Sequence, residues 1–68
     1  MNTQDILNTI NRLQIECAKV AKNSEFPEYY KGLAHNLSVA YQSVEKQDWR
    51  YVFEDIAKAE QALVELEG

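Results

Sequence analysis

The chain has 68 residues, of which 46% are hydrophobic and 26% charged, and its formal net charge at pH 7 is -4. This composition excludes a disordered tail, and the excess of acidic residues argues against a protein whose main task is to neutralise nucleic-acid phosphates. A chain of this length folds as a single domain, residues 1–68, and buries only about 60% of its unfolded surface, so self-association or a partner would add stability.

The first predicted element is a helix over residues 3–22, with Asn2 or Thr3 as its N-cap. Apolar residues recur in it at alternating intervals of four and three, the spacing of a helix that buries one side. These residues are Ile6, Ile10, Leu13, Cys17 and Val20. Ile15 projects almost opposite them, so we expect it to be exposed.

The second predicted helix covers residues 27–45. Ser24 can begin a turn before it, and Pro27 suits its first turn, where the missing N–H of proline would have no partner in any case. The apolar spacing again places one side of the helix in the core. The residues at this spacing are Tyr30, Leu33, Leu37, Ala40 and Val44, and a projection of the helix also places Tyr41 on the inner side.

The third predicted helix covers residues 49–66, with Asp48 as its N-cap. Its inner side carries apolar residues at the same spacing. These are Trp49, Val52, Ile56, Ala59, Leu63 and Leu66. A second apolar stripe, Phe53, Ala57 and Val64, is interrupted only by a glutamate and is expected to widen the core.

Three helices joined by short connections predict an all-α, antiparallel, up-down-up three-helix bundle. Phe26 and Leu66 are expected to close one end of it. No segment approaches the roughly 18 consecutive apolar residues of a membrane span, and the start of the chain lacks a basic and apolar leader. We therefore expect no membrane association and a cytoplasmic protein, which agrees with a single cysteine.

The sequence predicts no catalytic, cofactor or metal site, and no enzyme. His35 has neither a carboxylate nor a second ligand at helical spacing, and Cys17 falls on a core position. Glu54 and Asp55 are consecutive on a helix and point in different directions. A bundle of this size is also expected to have little room for a cleft of about 300 Å³. A metal-assisted enzyme around His35 would need groups from a second chain.

Residues 32–44 contain no Asp, Glu, Lys or Arg, although a surface helix normally carries charge. This segment predicts a protein-binding surface, because small, uncharged residues allow a partner helix to approach closely. The predicted binding residues are Ile15, Tyr29, Gly32, His35, Asn36, Val39 and Ser43. The leading hypothesis is a non-enzymatic interaction protein, either a homodimer or a small adaptor, regulator or inhibitor of another protein.

The alternative hypothesis is a small nucleic-acid-binding regulator of the helix-turn-helix type. Its contacts would come from Lys31, His35, Asn36 and Gln42 on the second helix. The two hypotheses differ in their dependence on salt, because binding to nucleic acid releases counterions and weakens steeply as salt rises. The sparse basic residues of this helix favour the protein-binding hypothesis.

Overall fold

The computed structural model describes residues 2–67, which contain three helices. They are α1 (Thr3–Asn23), α2 (Pro27–Glu45) and α3 (Val52–Glu67). Each helix packs against the other two, and residues 2–67 contain no strand. The predicted all-α three-helix bundle is therefore confirmed. The predicted domain covers residues 1–68, whose first and last residues lie outside the described range.

The start of α1 is fixed by Asn2, one of the two predicted N-caps. Its side-chain oxygen accepts a hydrogen bond from the backbone N–H of Asp5 at 2.8 Å, which satisfies one of the donors left unpaired at a helix start. The helix ends at Asn23, one residue beyond the prediction. The hydroxyl of Ser24 then accepts from the backbone N–H of Phe26 at 2.9 Å, in the turn that its sequence predicts.

The bounds of α2 agree with the prediction, and its two ends are built differently. Pro27 occupies the first turn, where no N–H is required. At the other end the backbone N–H groups of Gln47 and Asp48 donate to Val44 and Ser43 at 3.0 and 2.8 Å. Gln47 has φ 62. This is a Schellman motif, with glutamine at the left-handed position that glycine usually takes.

The predicted start of α3 is wrong, because the helix begins at Val52 and not at Trp49. The carboxylate of Asp48 accepts hydrogen bonds from the backbone N–H of Arg50 at 3.3 Å and from its guanidinium at 3.0 and 2.8 Å. These bonds hold a local turn and do not cap a helix. Val52 N–H then donates to the carbonyl of Trp49 at 3.4 Å, and α3 continues from there.

Most of the predicted inner residues form the core, and residues 2–67 contain no buried side-chain polar atom without a hydrogen-bond partner. On α2, Ala40 is buried as its spacing predicts, whereas Tyr41, which the projection also places on the inner side, is only half-buried. The buried apolar residues are Ile6, Ile10, Leu13, Cys17, Ala21, Tyr30, Leu33, Leu37, Ala40, Val44, Val52, Ile56, Ala59 and Ala62. Val20, Trp49 and Leu63 pack against this core but stay half-buried.

Two expectations about the edge of the core are wrong. Phe26 and Leu66 do not close one end of the bundle, since they are 67% and 52% exposed. Phe53 and Val64 do not widen the core either, since they are 57% and 60% exposed. The physical reason is the packing of the helices: α1 and α2 contact each other most extensively, and α1 and α3 least. The side between α1 and α3 therefore remains open.

Candidate interaction surfaces

The uncharged stripe of α2 borders a groove against α3, which we call the α2–α3 groove. Asn36, Val39 and Ser43 form its α2 wall, and the groove has a volume of about 340 Å³. Val39 is 49% exposed on this wall. The remaining lining residues are Ala40, Tyr51, Val52, Glu54, Asp55 and Lys58. Three of the predicted binding residues thus lie along one groove, and the stripe that the sequence places on the outer side of α2 borders α3.

The charge that α2 lacks along this groove is provided by α3. Glu54 and Lys58 form an ion pair at 3.2 Å on the α3 wall. Burial raises the pKa of Asp55, with a further increase from Glu54 and an opposing effect of Lys58. The groove therefore combines an uncharged wall with a charged one. A side chain from a partner would meet apolar surface at Val39 and polar groups opposite it.

Tyr29, Gly32 and His35 lie outside the lining of the α2–α3 groove, and all three are exposed. Tyr29 packs edge-on against Tyr30, with ring centroids 5.1 Å apart. A Cβ added at Gly32 would meet nothing within 4 Å. No contact within the chain therefore explains the glycine, and the surface beside it is open.

Ile15 is not brought to the uncharged stripe of α2. It is 48% exposed, as the projection predicts. It lies in a shallow depression whose lining comes from α1 alone. The neighbours that share this depression are Asn8, Asn11, Arg12, Glu16 and Lys19. The predicted binding residues therefore fall on separate parts of the surface.

The residues of the nucleic-acid hypothesis are dispersed in the same way. Lys31 forms an ion pair with Glu28 at 3.6 Å, so its positive charge is partly compensated. Asn36 lines the α2–α3 groove, where the nearby charged groups include Glu54 and Asp55. Acidic groups close to a nucleic-acid contact repel the phosphate backbone.

The sequence analysis missed an apolar groove at one end of the bundle, where the end of α1, the α1–α2 connection and the start of α2 meet Leu66 of α3. It is about 640 Å³ in volume and open to solvent. Its lining residues are Lys19, Val20, Asn23, Ser24, Glu25, Phe26, Tyr30 and Leu66. The expectation of little room for a cleft is wrong, because this volume lies between helix ends and not inside the core. The sequence signal that could have revealed it is Phe26, a large apolar residue in the connection between α1 and α2.

The single cysteine lies in the core, apart from the candidate surfaces. Cys17 is fully buried, and burial, with a smaller contribution from Glu16, raises the pKa of its thiol and disfavours the reactive thiolate. Within residues 2–67 no three side chains of His, Cys, Asp or Glu lie close enough together to hold a metal ion.

Comparison of the chain with protein-family models, with curated proteins and with solved structures finds no match. Among residues 2–67, no helix is both long enough and apolar enough to cross a membrane.

Proposed function

We propose that this chain is a non-enzymatic protein-interaction module that contacts a protein partner through the α2–α3 groove. The partner is a second copy or another protein that the chain recruits, regulates or inhibits. The observation that carries the proposal is the exposure of Val39 and Tyr51, 49% and 65%, on opposite walls of one groove. Two exposed apolar side chains about a shared groove are typical of a surface that a partner covers.

The chemistry of the groove supports a protein partner over a small anionic one. Its floor contains the buried residues Ala40 and Val52, and its α3 wall carries Glu54 and Asp55. The apolar centre and polar edge resemble the arrangement of protein interfaces, in which a desolvated centre contributes most of the binding energy. The unpaired cysteine agrees with a reducing compartment, so we propose that the module acts in the cytoplasm.

The test combines a measurement of the molecular mass in solution with the capture of binding proteins on the immobilised chain. Sedimentation equilibrium over a range of concentrations measures self-association of the unmodified chain, and the immobilised chain is used to retain proteins from cells. We expect Val39→Asp to abolish the interaction, because a partner that covers the apolar part of the groove would remove the water that hydrates the new carboxylate. Gly32→Glu examines the adjoining open surface of the same stripe, where an added Cβ meets nothing within 4 Å.

Gln42→Asp is the matched control, because Gln42 is exposed on α2 but outside the lining of the groove. It adds the same charge to the same helix and should leave the interaction intact. Circular dichroism establishes that each variant remains helical. The proposal is wrong if the unmodified chain is a monomer at every concentration and retains the same proteins as the Val39→Asp chain.

A further inference from the structure

Asp55 brings a carboxylate into the α2–α3 groove without a cation to balance it. Of the described residues that line the groove, only Lys58 is basic, and its ammonium pairs with Glu54 at 3.2 Å. Within residues 2–67 the carboxylate of Asp55 takes part in no ion pair and no hydrogen bond. The lining of the groove therefore carries one unbalanced negative charge.

This placement of Asp55 opposes folding. The residue is half-buried on α3. Burial is the main cause that raises its pKa, with a further increase from Glu54 and an opposing effect of Lys58. A carboxylate that loses part of its hydration without gaining a hydrogen bond is destabilised. Asp55 is therefore better suited to contact with a cation from outside the chain than to support of the fold.

The apolar residues of the groove surround this carboxylate. Val39 and Tyr51 are exposed on its two walls, and the buried residues Ala40 and Val52 lie beneath them. Arginine and lysine combine an apolar stem with a charged end, so either can pack along apolar surface and still reach a carboxylate. Arginine can also bind a carboxylate through two hydrogen bonds and stack on an aromatic ring. The groove therefore fits a basic side chain with an apolar neighbour.

A second copy of the chain fits this groove poorly. A two-fold dimer brings the same lining of both copies together. Each Asp55 would then meet no unpaired cation, because the lysine of the lining already pairs with a glutamate. Glu65 follows Lys58 by seven residues and extends the acidic side of α3, and the whole chain has a net charge of -4. Two such surfaces repel each other, whereas a basic surface is attracted.

We propose that the α2–α3 groove binds a basic segment of a different protein, in which an arginine or lysine reaches Asp55 and a neighbouring apolar side chain covers Val39. The inference rests on the proposed function and deepens it, because it assigns the chemistry of the partner and excludes a second copy from this groove. Opposite charge brings the two proteins together and fixes their register, and the covered apolar residues slow dissociation.

The first test determines which peptides the groove selects. Random peptides displayed on phage are first depleted on the immobilised Val39→Asp chain and then selected on the unmodified chain, so that the retained peptides depend on the groove. We expect them to be enriched in arginine and lysine beside aliphatic or aromatic residues, relative to the starting library. Replacing the basic residues of the strongest peptide with glutamine should weaken its binding by about tenfold or more, because a charge-assisted hydrogen bond is lost.

The second test changes the carboxylate itself. Asp55→Asn should weaken binding of the strongest retained peptide by at least about tenfold, because the amide carries no charge. Asp55→Glu keeps the charge and should retain most of the binding. Glu60→Gln is the matched control, since it removes a carboxylate of α3 that lies outside the lining of the groove. Urea unfolding separates the two possible roles: a structural role of Asp55 would lower stability and binding together, whereas we expect Asp55→Asn to lose binding without losing stability.

Each outcome supports or overturns the inference. Enrichment of basic peptides that lose affinity for Asp55→Asn, but not for Glu60→Gln, supports it. Retained peptides without this enrichment, or with equal affinity for Asp55→Asn, overturn it and leave the proposed function intact, because binding still depends on Val39. An empty selection also overturns the inference, and the proposed function is then decided by sedimentation and protein capture. A dimer that Val39→Asp abolishes overturns the inference as well, because a second copy would then occupy the groove.

Discussion

The backbone N–H of Asp48 donates to the carbonyl oxygen of Ser43 at 2.8 Å, and this bond closes the end of α2. Gln47, which directly precedes Asp48 in this turn, has φ 62. A residue with a side chain is strained in this left-handed region, because its Cβ approaches the following carbonyl oxygen. The connection between α2 and α3 therefore contains strain that a single substitution can remove.

Gln47→Gly should stabilise the fold by about 1 kcal/mol, because glycine adopts a positive φ without steric cost, although it also gains freedom in the unfolded chain. Urea unfolding measures the change. Lys46→Gly is the matched control, since Lys46 has φ -92 and glycine gains nothing there. Lys46→Gly should be neutral or destabilising. Equal effects of the two substitutions would contradict the strain at Gln47.

Gly32→Ala should stabilise the isolated chain by about 1 kcal/mol, because alanine has the higher helix propensity and the added methyl group meets no atom within 4 Å. The unfolding midpoint in urea measures the gain. Ala57→Gly, at an exposed position of α3, should lower stability by a similar amount. A loss of stability in Gly32→Ala would show that the helix is more crowded at this point than the structure indicates.

The ion pair between Asp48 and Arg50 should make the free energy of unfolding depend on pH in the acidic range. Hydrogen bonds from the side chain and the backbone of Arg50, with a Coulombic contribution, lower the pKa of Asp48 from 3.8 to about 2. A carboxyl whose pKa is lower in the folded state stabilises the fold above its unfolded pKa, and the contribution is lost as pH falls through the folded value. Asp48→Asn should thus be less stable than the unmodified chain at neutral pH.

The difference in stability between the unmodified chain and Asp48→Asn should disappear as pH falls from 3.8 to about 2. Urea unfolding of both chains across this range measures it, and NMR titration of the Asp48 carboxyl gives its pKa directly. A pKa of Asp48 at its ordinary value of 3.8 would contradict the hydrogen bonds from Arg50 to this carboxylate.

Ionisation of Asp55 should lower the stability of the fold, whereas ionisation of Asp48 should raise it. Burial raises the pKa of Asp55, so ionisation of this carboxyl at neutral pH opposes folding. A group whose folded pKa is raised contributes stability below its unfolded pKa and loses it as pH rises through the folded value. We expect Asp55→Asn to be more stable than the unmodified chain at neutral pH, as measured by urea unfolding. Glu54→Gln, which removes a neighbouring exposed carboxylate that pairs with Lys58, should not produce this gain.

Much of the fold follows from the sequence, because helix bounds and inner faces depend on local spacing and capping. The interval of four and three residues identified the buried positions from Ile6 to Cys17 and from Leu33 to Val44. Pro27 and Asn2 marked two helix starts, since their effects act within one helical turn. The start of α3 was missed because the Asp48 side chain can either cap a helix or hold a local turn with Arg50. The sequence does not show which of the two hydrogen-bonding arrangements forms.

The candidate surfaces depend on how the helices pack, which spacing along one helix does not specify. The projection of α2 correctly left Val39 exposed, but only the packing of α3 places Asp55 and Lys58 across the groove from it. The same holds for Phe53 and Val64, whose stripe is equally compatible with a wider core or an open side. By itself the sequence determined the three helices and their buried faces, because these arise from contacts between near neighbours in the chain. The tertiary structure alone decided which exposed side chains share a surface, because that depends on the distances between helices.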